Sequence, residues 1–211
     1  MNYLSISEPV RAELIIKKSK FIAFLLPAHD LNDIENTLKT VRCQYPGANH
    51  YCYAYIIRQE GMLLERCSDD GEPSGTAGWP ILNVIKNRKL HNILAVVVRY
   101  FGGTLLGTGG LVKAYTQSLQ SALDIAQLVK MEYSQKLIAT LDYSNYGGFQ
   151  KQFAEIMSRV DNVQFSDKVH IEVWIAIEDV PSFASRLDNL SGGTAVIEQL
   201  EKGFIPKEMK P

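Results

Sequence analysis

Cysteine is scarce in this 211-residue chain, charge of either sign is nearly cancelled, and no apolar stretch is long enough to cross a bilayer. The three cysteines, Cys43, Cys52 and Cys67, form no C-x-x-C pair and are odd in number. That argues against a disulfide framework and for a reducing, cytoplasmic setting. With 22 Lys and Arg against 23 Asp and Glu, no strong global field draws the chain to nucleic acid or to an anionic membrane, so any such binding has to be local. One segment imitates a targeting signal: FIAFLLPA, residues 21–28, behind Lys17-Lys18-Ser19-Lys20. It is only eight residues long, lacks a small-residue cleavage site, and reads as a buried strand.

What is present is the material of ordinary cores, 46% hydrophobic and periodically arranged. AELIIKK and KFIAFLLP read as paired strands. Asp30 caps a helix whose apolar Leu31, Ile34, Leu38 and Val41 share one face, and Pro46-Gly47 closes that segment. HYCYAYIIR and GMLLERCS form a hairpin around Gln59-Glu60-Gly61. WPILNVIKNRKL reads as a helix with Pro80 in its first turn, where the missing N–H has no intrahelical partner to lose. ILAVVVRYF, apolar on both faces, reads as a central strand. From Thr108 onward Leu111, Ala114, Tyr115, Ser118, Leu119, Ala122, Leu123 and Ala126 follow the spacing of a helix buried along one side.

Around residues 130–135 the pattern restarts. Strand KLIATLDY, a helix over about 146–160, strands NVQFS and VHIEVWIAI, a helix over 180–190 and strand TAVIEQL give β-α-β-β-α-β, the ferredoxin-like order. A boundary near 134 therefore divides the chain into domains 1–133 and 134–211. The first carries 14 cations and 12 acids, the second 8 and 11, so an anion is expected to meet the first. In the second, alternation puts Trp174 on the sheet face away from the helices, free to dock against the first domain or another protein.

Two loops carry the candidate chemistry. In RYFGGTLLGTGGLVKAY, residues 99–115, a strand passes through glycines into a helix, which gathers unpaired amides and the positive end of a helix dipole at one corner. The candidates for phosphate or nucleic-acid contact are Arg99, Gly102, Gly103, Thr108, Gly109, Gly110 and Lys113. The competing reading gives these glycines only a tight turn and Lys113 only solvent. No G-x-x-x-x-G-K-[ST] occurs, and the G-x-G-x-x-G begun at Gly107 ends on Val112.

The second loop, DDGEPSGTAG, holds Asp69, Asp70, Glu72 and Ser74. Three carboxylates in four residues suit a divalent cation or acid/base work, and equally a solvated turn that caps a helix. Both loops precede helices and are expected to line one cleft. Cys43, His50, Cys52 and Cys67 match no zinc module and no G-x-S-x-G elbow occurs, so no catalytic residue, metal or cofactor is expected.

DDGEPSGTAGWPIL followed by VVVRYFGGTLLGTGGLVKAY resembles the IMPACT family, in the bacterial branch typified by YigZ. The resemblance covers residues 1 to about 130, and the remainder is similar to the extra C-terminal domain of that branch. It implies an α+β protein of two domains. The N-terminal one would have the fold of the second domain of ribosomal protein S five, and the C-terminal one would be ferredoxin-like, similar to the last domain, domain V, of translation elongation factor G. Eukaryotic relatives regulate translation by competing for a scaffold that activates an initiation-factor kinase, a partner with no evident counterpart for a two-domain bacterial form. Since both halves resemble ribosome-associated domains, the expected partner is structured RNA or the ribosome, with a protein partner as the alternative and no membrane or specific DNA partner. The S-five-like fold also houses small-molecule kinases that bind phosphate on a glycine loop ahead of a helix, which keeps open an enzyme acting on a nucleotide or phosphorylated metabolite. A pure protein-interaction module is the third reading. The family motif brings no assigned catalytic residues.

Overall fold

The computed structural model describes residues 2–59 and 62–208 and has the expected α+β, two-domain build. It divides into two compact units, one of Tyr3–Val129 and one of the residues from Lys130 onward together with Asn2. The first unit contains β1 (Tyr3–Ile6), β2 (Val10–Ile16), β3 (Ser19–Pro27), α1 (Leu31–Gln44), β4 (His50–Gln59), β5 (Met62–Ser68), α2 (Gly78–Asn87), β6 (Ile93–Tyr100) and α3 (Thr108–Leu123). Its sheet runs β2-β3-β6-β4-β5, all neighbours antiparallel.

Alternation along the central strands divides the sheet into two faces. Leu94, Val96 and Val98 of β6 pack with Ile34 and Val41 of α1. Ile93, Ala95 and Val97 pack with Ile81 and Ile85 of α2 and with Leu111, Tyr115 and Leu119 of α3. A strand buried on both sides explains why β6 is β-branched without a polar stripe. Each such aliphatic side chain removed from water stabilises the fold by about 1.5–3 kcal/mol.

Asp30 caps α1 as expected, its Oδ1 accepting the Asp33 amide at 2.8 Å. The expected β4–β5 hairpin is present, with Gln59 paired in the strands opposite Met62 rather than in the connection, while Glu60 and Gly61 lie outside the described residues. β1 was not anticipated. It is four residues long and tied by the Leu4–Leu90 bridge and by the His91 amide on the Leu4 carbonyl, partners about 86 residues away that no local pattern reveals.

The second unit takes in most of β7 (Leu128–Leu141), then α4 (Tyr143–Phe153), β8 (Met157–Phe165), β9 (Val169–Ala176), α5 (Val180–Ser191) and β10 (Val196–Glu208). Strand order β10-β7-β9-β8 is the ferredoxin-like arrangement. Phe149 and Phe153 of α4 and Phe183 of α5 form one aromatic cluster over the sheet, with centroids 4.8 to 6.2 Å apart. α5 stops at Gly192, which takes the left-handed conformation at φ 59°.

Three expectations in this unit need correction. The helix expected to reach Val160 ends at Phe153, and Met157–Phe165 is strand. Met157, Val160 and Val163 oppose Ile175, Val173 and Ile171: the partners step by two while β8 steps by three, because a bulge falls in each interval. Two successive bulges thus imitate the i, i+3 spacing of a helix. The last strand runs on to Glu208, past the expected end at Leu200, with Gln135 Nε2 donating to the Leu200 and Glu201 carbonyls.

Trp174 is not an open docking face either. It is buried within its own unit, with Nε1 donating to Asp161 Oδ2 at 2.9 Å. The Arg159 and Lys136 cations lie 5.4 and 6.0 Å from its ring, and Gly203 of β10 stands against its edge.

Candidate functional site

β3, β4 and β6 end side by side, and the pleat decides what their ends present. Phe21 and Ala23 of β3, Cys52 and Ala54 of β4, and Ala95 and Val97 of β6 all face α2 and α3. Ser19, His50 and Arg99, each two residues beyond, face the same way. In register, Arg99 lies opposite both Phe21 and His50.

Arg99 is buried, and its guanidinium sits 5.3 Å from the Phe21 ring centroid and 5.5 Å from that of Phe101. Nη1 donates to Glu72 Oε1 at 2.5 Å and Nη2 to Ser19 Oγ at 3.3 Å, while Nε is buried without a hydrogen-bond partner. Glu72 Oε1 also accepts the Tyr115 hydroxyl at 2.7 Å. Both charges of this pair are withdrawn from water, so removing either strands the other at a cost of about 3–5 kcal/mol.

Burial, with Cys52 and Glu72 beside it, drives the Tyr115 phenol far above its ordinary range, so it keeps the proton it donates to Glu72. Burial likewise pushes the Cys52 thiol up to about 12, and Sγ donates to the Asp69 carbonyl at 2.9 Å. Such a thiol is no nucleophile.

His50 Nδ1 lies 2.9 Å from the Asp70 carbonyl oxygen, which can only accept, so Nδ1 carries the proton. In the neutral ring Nε2 is then an acceptor, 3.9 Å from Glu72 Oε2.

The three carboxylates of the acidic loop go to three places. Asp69 closes the start of α2: Oδ1 accepts the Ala77 and Gly78 amides at 2.9 and 2.8 Å and Oδ2 that of Gly75 at 2.8 Å. Burial raises its pKa, but these three amides together outweigh that and hold the carboxyl below its ordinary value. Asp70 accepts the Tyr51 amide and pairs with Arg42, both at 2.7 Å, from a turn in which Asp70 and Gly71 both have positive φ. Glu72 turns inward to Arg99. Among the described residues no three His, Cys, Asp or Glu side chains come together as a metal site.

A cleft of about 420 Å³ opens at this end of the unit. Asn49, His50, Glu72 and Arg99 form its polar wall, Pro73, Phe101, Leu105, Leu106 and Leu111 its apolar wall, and Gly107 and Thr108 the start of α3 its rim. Both loops thus reach one cleft, but of the four acidic-loop residues expected there only Glu72 is in the wall. Asp69 and Asp70 are turned to α2 and Arg42, and Ser74 is exposed outside it.

The glycine loop divides in the same way. Gly102 is required by close packing, since a Cβ there would stand 2.0 Å from the Lys18 backbone. Its amide donates to Ser19 Oγ at 3.1 Å and is not free for a ligand. Gly103 and Gly107 hold φ of 77° and 72°, the left-handed region that glycine enters without strain. Gly107 caps α3 without a side chain, and no acidic residue stands in the first turn, so the Thr108, Gly109 and Gly110 amides lack acceptors within the helix. Lys113 is exposed on α3, outside the cleft wall.

Sequence reasoning passed over His50 as a site residue and did not single out Ser19 or the Tyr115 hydroxyl. A signal for His50 exists, because in HYCYAYIIR it continues the inward set Cys52, Ala54, Ile56. Its register against Arg99 does not appear in the sequence.

The family model of the Impact N-terminal domain matches residues 17–123, and that of a domain of unknown function, DUF1949, matches residues 140–194. The chain belongs to the IMPACT family. This IMPACT family member is 31% identical over 206 residues to YvyE of Bacillus subtilis, covering 98% of this chain and 94% of the relative. It is 37% identical over 210 residues to a member from Haemophilus influenzae, covering 95% and 98%. With YigZ of Escherichia coli it shares 32% identity over 204 residues, covering 95% and 99%. A crystal structure of a hypothetical protein, 30% identical, matches with a TM-score of 0.61 over 95% of this chain and 98% of the other.

Proposed function

We propose that this IMPACT family member is a cytoplasmic, translation-associated regulator, with residues 1–133 and 134–211 as its working domains, and that the first contacts structured RNA or the ribosome. The observation that carries the reading is the start of α3. Its first turn has no capping side chain and no acidic residue, and exposed Lys113 follows on the same helix. Open amides, the positive dipole end and one free cation suit a backbone phosphate. Arg99 and the Gly102 amide are engaged by Glu72 and Ser19, so the phosphate contacts fall to Lys113 and to the amides of Thr108, Gly109 and Gly110. Such contacts are weakly selective for sequence and sensitive to salt.

Titration with ribosomes and with a structured RNA at low and moderate salt tests this. Binding that weakens with salt is expected, and Lys113→Ala flattens the salt slope by about one released counterion. Absence of binding at low salt, or an affinity indifferent to salt, removes the reading.

A further inference from the structure

The cleft has features that a phosphate contact alone does not use. With the His50 ring neutral, its Nε2 and Glu72 Oε2 are two acceptors 3.9 Å apart in the wall, a separation that one ligand amino group, with its two N–H donors, can bridge. Phe101 is 44% exposed and lines the cleft, with the Arg99 guanidinium 5.5 Å from its ring centroid. Arg99 is more than nine-tenths buried in the polar wall, with Nη1 and Nη2 engaged and Nε unsatisfied. The α3 amides at the rim supply an anion seat.

The requirements these features place on an occupant are a phosphate, a flat apolar body and a hydrogen-bond donor. We infer that the cleft takes one unstacked nucleotide, its phosphate on the first turn of α3, its base against Phe101 and Leu106, and an amino group between His50 Nε2 and Glu72 Oε2. A nucleoside monophosphate unit combines all three chemistries at the size of a cleft of this volume. That the nucleotide comes from RNA, as an unpaired residue, rests on the reading above.

The test uses the full chain, with AMP, adenosine, inorganic phosphate and an unpaired oligoribonucleotide as probes, read by calorimetry and melting temperature. AMP is expected to saturate, with adenosine and phosphate each at least about tenfold weaker because each lacks half of the recognition. Phe101→Ala weakens AMP and oligonucleotide by about tenfold through the lost stack and leaves the oligonucleotide's salt slope unchanged. Leu105→Asp, at a wall position 84% exposed, is the second probe if Phe101→Ala disturbs Arg99, and is expected to weaken AMP as well.

An oligonucleotide tighter than AMP and displaced by it marks RNA as the source. AMP tighter than any oligonucleotide marks the free nucleotide and still supports the site. No saturable AMP binding at millimolar concentration, or a folded Phe101→Ala with unchanged affinity for AMP, overturns the inference. Structured RNA that still binds with a Lys113-dependent salt slope then leaves the phosphate reading standing, whereas saturable AMP with no RNA binding at low salt removes that reading alone.

Discussion

α2 and α3 both begin after glycine-bearing loops, yet the molecule treats their N-termini in opposite ways. At α2 the chain supplies its own anion: the half-buried Asp69 takes three amides. At α3 Gly107 offers no side chain, no acid follows, and the amides are left at the rim of a cleft. A helix start filled from within is architecture, whereas one left open beside a buried ion pair is available for a ligand. The same contrast sorts the acidic residues of one loop, Asp69 serving the fold and Glu72 the cleft wall.

The comparison can be strained most at the ion pair. Arg99→Met leaves Glu72 buried without its cation, and a loss of about 3–5 kcal/mol is expected in urea unfolding. A loss below about 1 kcal/mol would mean that the open end does not depend on this pair.

Next comes the glycine loop. Gly102→Ala forces a methyl into the Lys18 backbone and is expected to cost about 3 kcal/mol. Gly109→Ala, with nothing within 4 Å of the added carbon, is expected to be neutral or to stabilise by up to about 1 kcal/mol. Equal effects at the two sites would erase the distinction between a packing glycine and an open one.

At the filled end, Asp69→Ala removes the α2 cap and is expected to cost about 1–2 kcal/mol at neutral pH. The folded-state pKa of Asp69 is depressed. Its contribution is therefore present above the unfolded value of about 3.9 and lost as pH falls through the lower folded value. The gap between parent and variant should narrow below about pH 4 in acid-unfolding curves. A gap that does not depend on pH would assign the cap to something other than the carboxylate.

The smallest stability effect belongs to Lys113→Ala, within about 0.5 kcal/mol in thermal unfolding, as for exposed positions without special contacts. Its consequence is expected in binding. A folded variant with the parent's affinity and salt slope would remove Lys113 from the phosphate contacts.

Much of the fold was legible because it is written locally. The inward stripe of α3, the two-faced apolar run of β6 and the Asp30 cap are each set by residues within one or two turns of one another. The failures came where distant pairing overrode local period, most plainly in β8, whose two bulges present a helical spacing on a strand. At the site, the glycines and Arg99 could be singled out, but Arg99's charge could not be assigned, because its partner Glu72 stands 27 residues away.

Residue types and their periods were enough to establish two α+β units, a central strand leading through glycines into a helix, and carboxylates close by. Only tertiary structure decided which carboxylate caps a helix and which neutralises an arginine, that His50 lies across from Arg99, and that Trp174 is closed over by its own unit. Propensity and amphipathicity act over a few residues and can be read along the chain. Ion pairing and strand register depend on which distant groups share a low-dielectric space, and folding alone brings those groups together.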